Sequence, residues 1–147
     1  MMSKAKDFFS KEQREDIRQA VLNAELDTSG EIRIHIETRC KGDVLDRAAY
    51  IFDKMGIQKT EKRNGVLFYL AIHNRRFAVI GDIGINAIVP EDFWDGIKNL
   101  LLNHFRENQF AEGLIKGIDK VGEKLKKHFP YETGDINELT DEISFGD

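Results

Sequence analysis

The chain has 147 residues, enough for one domain with a core of its own. Its net charge of −4, with both signs interspersed, argues against a nucleic-acid-binding surface. No apolar run approaches the roughly 18 residues of a membrane span, so membrane insertion is not expected. The start, Met1 to Phe9, has no apolar h-region, and the single cysteine, Cys40, forms no internal disulfide. Cytoplasmic residence is the resulting expectation.

Ser10-Lys11-Glu12-Gln13 reads as a capping box, with the Ser10 hydroxyl and the Gln13 amide each meeting a free backbone N–H. Ile17, Ala20, Val21, Ala24 and Leu26 follow at helical spacing, and this helix should stop near Asp27. Glu31 to Thr38 alternates as a strand. Ile32, Ile34 and Ile36 face one side and Glu31, Arg33, His35 and Glu37 the other, which predicts a relatively wet face. Asp43 is placed to cap a second helix that Gly56 ends. Its expected buried stripe is Val44, Leu45, Ala48, Ala49, Ile51, Phe52 and Met55.

Gly65 to His73 is apolar on both faces and predicts a central strand covered on both sides. A turn at Asn74-Arg75 leads into a second, more alternating strand, Arg76 to Gly81, and then a glycine loop to Ile85. Pro90 introduces a helix lined by Phe93, Trp94, Ile97, Leu100, Leu101, His104 and Phe105. A last helix runs from Phe110 to Phe129, with Gly113, Gly117 and Gly122 expected to permit close approach to the sheet. Residues 1–130 therefore read as one domain, and the acidic stretch 131–147 as a flexible tail.

The order and spacing of five blocks carry a resemblance. They are Thr28-Ser29-Gly30-Glu31-Ile32, Asp46-Arg47-Ala48, Arg63-Asn64-Gly65-Val66-Leu67, the Gly81–Ile85 loop and Phe105-Arg106. Together they resemble the TPM domain family, whose members include thylakoid-lumen, photosystem II accessory and acetylcholine-receptor modulator proteins. The resemblance implies an α/β fold: a three-layer α/β/α sandwich with a mixed, Rossmann-like sheet. Many members carry Gly-Leu-Glu in the glycine loop, where this chain has Gly84-Ile85-Asn86.

A parallel crossover followed by an antiparallel hairpin gathers the starts of two strands and the end of a third at one rim. Glu25, Ser29, Glu31, Arg63, Asn64 and Asp82 meet there. Carboxylates, an amide, a hydroxyl and carbonyls in glycine loops suit a hard cation, calcium or magnesium. Glu31, Asn64 and Asp82 are the expected metal ligands, supported by Glu25 and Ser29, and Arg63 is the group placed to meet a phosphate. Two functions follow: a divalent-cation-binding interaction or accessory module that presents a surface to another protein, and, as the alternative, a metal-assisted acid-type phosphatase. The second is an activity attributed to some plant relatives, with Asp82 as ligand and Glu31 as base. None of the four histidines stands at HxH or HxxxH spacing, so a zinc site is not expected.

Overall fold

The structure, a computed structural model, describes residues 4–132 and 143–147. Helices α1 (Ala5–Phe8) and α2 (Lys11–Glu25) precede strand β1 (Glu31–Glu37), helix α3 (Val44–Lys54) and a 3-10 turn (Ile57–Lys59). The hairpin of β2 (Gly65–Ala71) and β3 (Arg76–Gly81) follows. Helices α4 (Ile83–Asn86), α5 (Phe93–Arg106) and α6 (Phe110–His128), and then β4 (Ser144–Gly146), complete the chain. The sheet order is β3-β2-β1-β4, with β1 parallel to both β2 and β4 and β3 antiparallel to β2. The chain folds as the expected three-layer sandwich with a mixed sheet.

Strand alternation divides the core in two. Ile32, Ile34, Ile36, Val66, Phe68, Leu70 and Val79 face a layer built from α2, α5 and α6. Leu67, Tyr69, Ala71 and Ala78 face α3 through Ala48, Ile51 and Phe52, with Ile57 of the 3-10 turn beside them. Local signals set the helix starts. Ser10 and Gln13 form the capping box at α2, and the Asp43 side chain accepts from the backbone N–H groups of Leu45 and Asp46 at α3. Gly56 leaves α3 at φ +73°, a conformation that favours glycine.

Several expectations are corrected. The polar face of β1 is not wet: all seven residues of the strand are buried. Leu26 is exposed because it is the C-cap of α2 and lies beyond its last turn. Leu45 and Ala49 lie on the outer face of α3, since only Ala48, Ile51 and Phe52 turn fully to the sheet. The loop after β3 coils into α4, because Asp82 supplies an N-cap and Ile85 is buried. Of the α6 glycines, Gly113 approaches His104 and Phe105 of α5, Gly117 lies between Leu101 of α5 and Phe68 of β2, and Gly122 touches Ala24 of α2. Helix–helix contact, more than helix–sheet contact, explains them. The tail is not irregular where it is described at its end: Ser144–Gly146 pairs with His35–Glu37 of β1, which would otherwise be a sheet edge. The rest of that expectation falls on residues 133–142, outside the described residues.

A rim of paired carboxylates

The pairing register brings the predicted rim together. Glu31 lies opposite Gly65, and Val66 lies opposite Gly81, so the starts of β1 and β2 and the end of β3 share one edge. Backbone bonds join the segments. Glu31 N–H donates to the Asn64 carbonyl at 3.4 Å, Asp82 N–H to the Gly65 carbonyl at 3.0 Å, and Gly84 N–H to the Arg63 carbonyl at 2.9 Å. Asn64 is buried, and its side-chain amide donates to Ser29 Oγ at 3.1 Å. The preceding loop is tied to the last turns of α6: Thr28 Oγ1 donates to the Leu125 carbonyl at 3.0 Å and accepts from Gly30 N–H at 3.1 Å. Thr28 thus closes the C-terminal end of α6, where helix carbonyls otherwise lack partners.

The rim carboxylates are not a bare oxygen cage. Arg33 is buried and donates through Nη1 to Glu25 Oε2 at 2.8 Å and through Nη2 to Glu31 Oε1 at 3.0 Å. Glu25 Oε2 also accepts from Ile32 N–H at 2.8 Å. Arg63 forms a two-pronged pair with Asp82, Nε to Oδ2 at 2.7 Å and Nη2 to Oδ1 at 2.9 Å. The Asp82 hydrogen bond raises the Arg63 guanidinium above its ordinary value. Asp82 Oδ1 also accepts from Ile83 N–H at 2.8 Å, which starts α4. Among the described residues, no three His, Cys, Asp or Glu side chains gather to hold a metal ion.

These pairings separate the predicted ligands. Glu31 and Glu25 share a buried guanidinium that would repel a dication, so they fit a divalent ion poorly. Asp82 differs: its side chain is 4% exposed, but the arginine that neutralises it is 42% exposed and can turn into water. Two loop carbonyls pack against Gly84, two residues further on. A Cβ on Gly84 would meet the Lys62 carbonyl oxygen at 2.2 Å and the Arg63 carbonyl oxygen at 2.6 Å. Gly84→Ala should therefore displace this loop and cost about 1–3 kcal/mol in a denaturant titration. An unchanged midpoint would show that the loop is free to move.

Sequence reasoning missed Arg33 as the centre of the rim. The available signal was Glu31-x-Arg33: residues two apart on a strand share a face. It also missed a second buried network at the opposite end of the same stripe. Glu37 accepts from Arg47 Nη2 at 2.6 Å, Tyr69 Oη at 2.7 Å and His35 Nε2 at 3.2 Å. His35 Nδ1 lies 2.8 Å from Ser144 Oγ of β4. An ionised carboxylate only accepts, so Nε2 carries the proton and Nδ1 accepts from the serine hydroxyl. Burial would raise the Glu37 carboxyl, but the bonds from Arg47, Tyr69 and His35 outweigh it and hold Glu37 below the usual carboxylate range. Burial also lowers His35, outweighing its bond to Glu37.

The rim blocks belong to a recognisable pattern. The family model for the TPM domain matches residues 2–124. The chain belongs to the TPM domain family. This TPM domain is similar along its whole length to the BA42 protein of the psychrophilic bacterium Bizionia argentinensis, with 42% identity, a TM-score of 0.89, and coverage of 99% of this chain and 100% of that one. The N-terminal domain of the cg2496 protein from Corynebacterium glutamicum is 13% identical with a TM-score of 0.67, covering 90% of this chain and 82% of that one. The N-terminal domain of a P. gingivalis protein is 22% identical with a TM-score of 0.69, covering 84% and 82% respectively. These last two likenesses concern the fold alone. No curated protein matches the chain. Among the described residues of this TPM domain, no helix is long and apolar enough to cross a membrane.

Proposed function

We propose that this TPM domain is a cation-responsive interaction module in which calcium or magnesium exchanges with Arg63 at Asp82. The observation that supports it is the asymmetry of the Asp82–Arg63 pair: a buried carboxylate is neutralised by a half-exposed guanidinium. A divalent ion at Asp82 would draw on neighbouring carbonyls and on Asn64, and Arg63 would swing outward. Ion binding then changes the surface charge of the rim and the order of its loops, which is what a partner protein would read. Glu31 and Glu25 stay with Arg33 and serve as the floor of the site. One carboxylate supplemented by neutral oxygens gives weak binding, with a Kd on the order of 1 mM.

The phosphatase alternative has less support. It asks Glu31 to act as general base and Arg63 to hold phosphate. Glu31 is buried in an ion pair with Arg33, away from any attacking water, so the step lacks its base.

Titration of metal-free protein with calcium and then magnesium, followed by amide NMR, tests the proposal. Shifts are expected at 28–31, 63–65 and 82–84. Arg63→Asn removes the competing cation and suits the φ of +52° found there, so it should tighten binding several-fold. Asp82→Asn should abolish binding. Absence of shifts at the rim, or shifts confined to 131–147, would overturn the reading. Phosphate-ester hydrolysis above the metal-free blank, lost in Asp82→Asn, would favour the alternative.

A further inference from the structure

A cleft of about 670 Å³ lies at the other end of the sheet, where β2 ends and β3 begins. Sites for small molecules occupy roughly 300–1,000 Å³ and prefer the carboxyl ends of parallel strands. Four phenylalanines line the cleft as a continuous ring contact. Phe8 meets Phe110 edge-on at 5.2 Å, Phe110 meets Phe105 at 5.1 Å, and Phe105 meets Phe77 edge-on at 5.2 Å. Rings held against one another in this way give a firm apolar wall.

Two cations, Arg75 and Arg106, complete the lining, which includes no carboxylate. Neither makes an ion pair or side-chain hydrogen bond with a described residue, unlike Arg33, Arg47 and Arg63. Arg106 stands in the last turn of α5, where its charge offsets the helix dipole. Arg75 has no such role: it sits on the hairpin turn at φ +52°. The 19-residue helix α6 also begins at the cleft, and its N-cap Gln109 makes no side-chain capping bond. Its first N–H groups therefore add positive potential.

We infer that this cleft binds a small apolar carboxylate, with the hydrocarbon or aryl body on the phenylalanine wall and the carboxylate toward Arg75 and Arg106. Charge complementarity selects this class. A neutral apolar ligand leaves both arginines without an acceptor, and an apolar cation is repelled. The site is separate from the Asp82 rim, at the opposite ends of the same strands, so the two are tested independently.

The experiment is titration of the full chain with decanoate below its micelle concentration, followed by amide NMR, with decanol and decylammonium as comparisons. Decanoate should shift amides at 72–77 and 102–111 and leave 82–84 unmoved. Decanol and decylammonium should bind at least about tenfold more weakly. Arg75→Asn removes the charge, is compatible with the left-handed turn, and should weaken decanoate binding by about tenfold while leaving the remaining spectrum in place. Absence of shifts at the cleft, or equal affinity for decanoate and decanol, would overturn the inference. So would a concentration-dependent dimer that covers these residues, or binding to anionic phosphatidylglycerol vesicles without binding to free decanoate.

Discussion

Replacing Arg33 by methionine should lower the folding stability of this domain by about 3–5 kcal/mol. The side chain is 1% exposed and lies between Glu25 and Glu31, whose side chains are 11% and 3% exposed. Taking the guanidinium away leaves two carboxylates in an interior where an unpaired charge is poorly solvated. Methionine fills much of the same volume, so the loss reports charge and not a cavity. For a chain of this size the thermal midpoint should fall by about 10 °C. Urea unfolding at neutral pH measures the effect directly. A companion variant, Arg33→Met with Glu31→Leu and Glu25→Gln, removes the stranded charges together and should recover most of the loss. The amide of the new glutamine keeps an acceptor for Ile32 N–H. If Arg33→Met alone lost less than about 1 kcal/mol, the triad would not be the buried ion-paired floor of the rim described above.

The same result bears on what was legible in the sequence. The capping residues Ser10, Gln13 and Asp43 could be read because each acts within three residues of itself. The central strand Gly65–Ala71 could be read because burial on both faces writes an unbroken apolar run. The convergence of Ser29, Asn64 and Asp82 followed from topology alone: a parallel crossover and a hairpin leave only one edge on which those ends can meet. What could not be read was that this charged face is covered and which distant residues complete its pairs. Glu31, Arg33, His35 and Glu37 look like a solvated face, yet β4 closes the edge beside His35 and Glu37, and Arg47 reaches over from α3. Those partners lie between 10 and 109 residues away along the chain. Asp82 was legible as an acidic group at a strand end. Its roles as cap of α4 and partner of Arg63 depend on a helix too short to leave a periodic signal.

At the other end of the stripe, Glu37→Ala should cost about 3 kcal/mol, and it should change how stability depends on pH. Arg47 is partly exposed and can turn to water, but Tyr69 is buried and its hydroxyl would lose its carboxylate acceptor. Burial, and then the Glu37 bond, raise the Tyr69 phenol, so it stays neutral throughout the accessible range. The pH dependence has two parts of one sign. Glu37 is held below its unfolded value, so its contribution is full above the ordinary carboxylate range and is lost as pH falls through the folded value. His35 is also held below its unfolded value of about 6.5, because its buried ring resists charge. Its unfolded form takes up a proton first, so stability falls as pH drops below about 6.5. Acid therefore destabilises the wild-type fold in two steps, the first from His35 and the second from Glu37. In His35→Asn the first step should vanish while the second remains. In Glu37→Ala the second should be absent, and His35, without its carboxylate, should resist protonation still more strongly. Urea midpoints measured from pH 7.5 down to about pH 2 separate the two steps. A wild-type profile that stays flat between pH 6.5 and 5 would mean that His35 exchanges freely with water, and that β4 does not seal this end of the sheet.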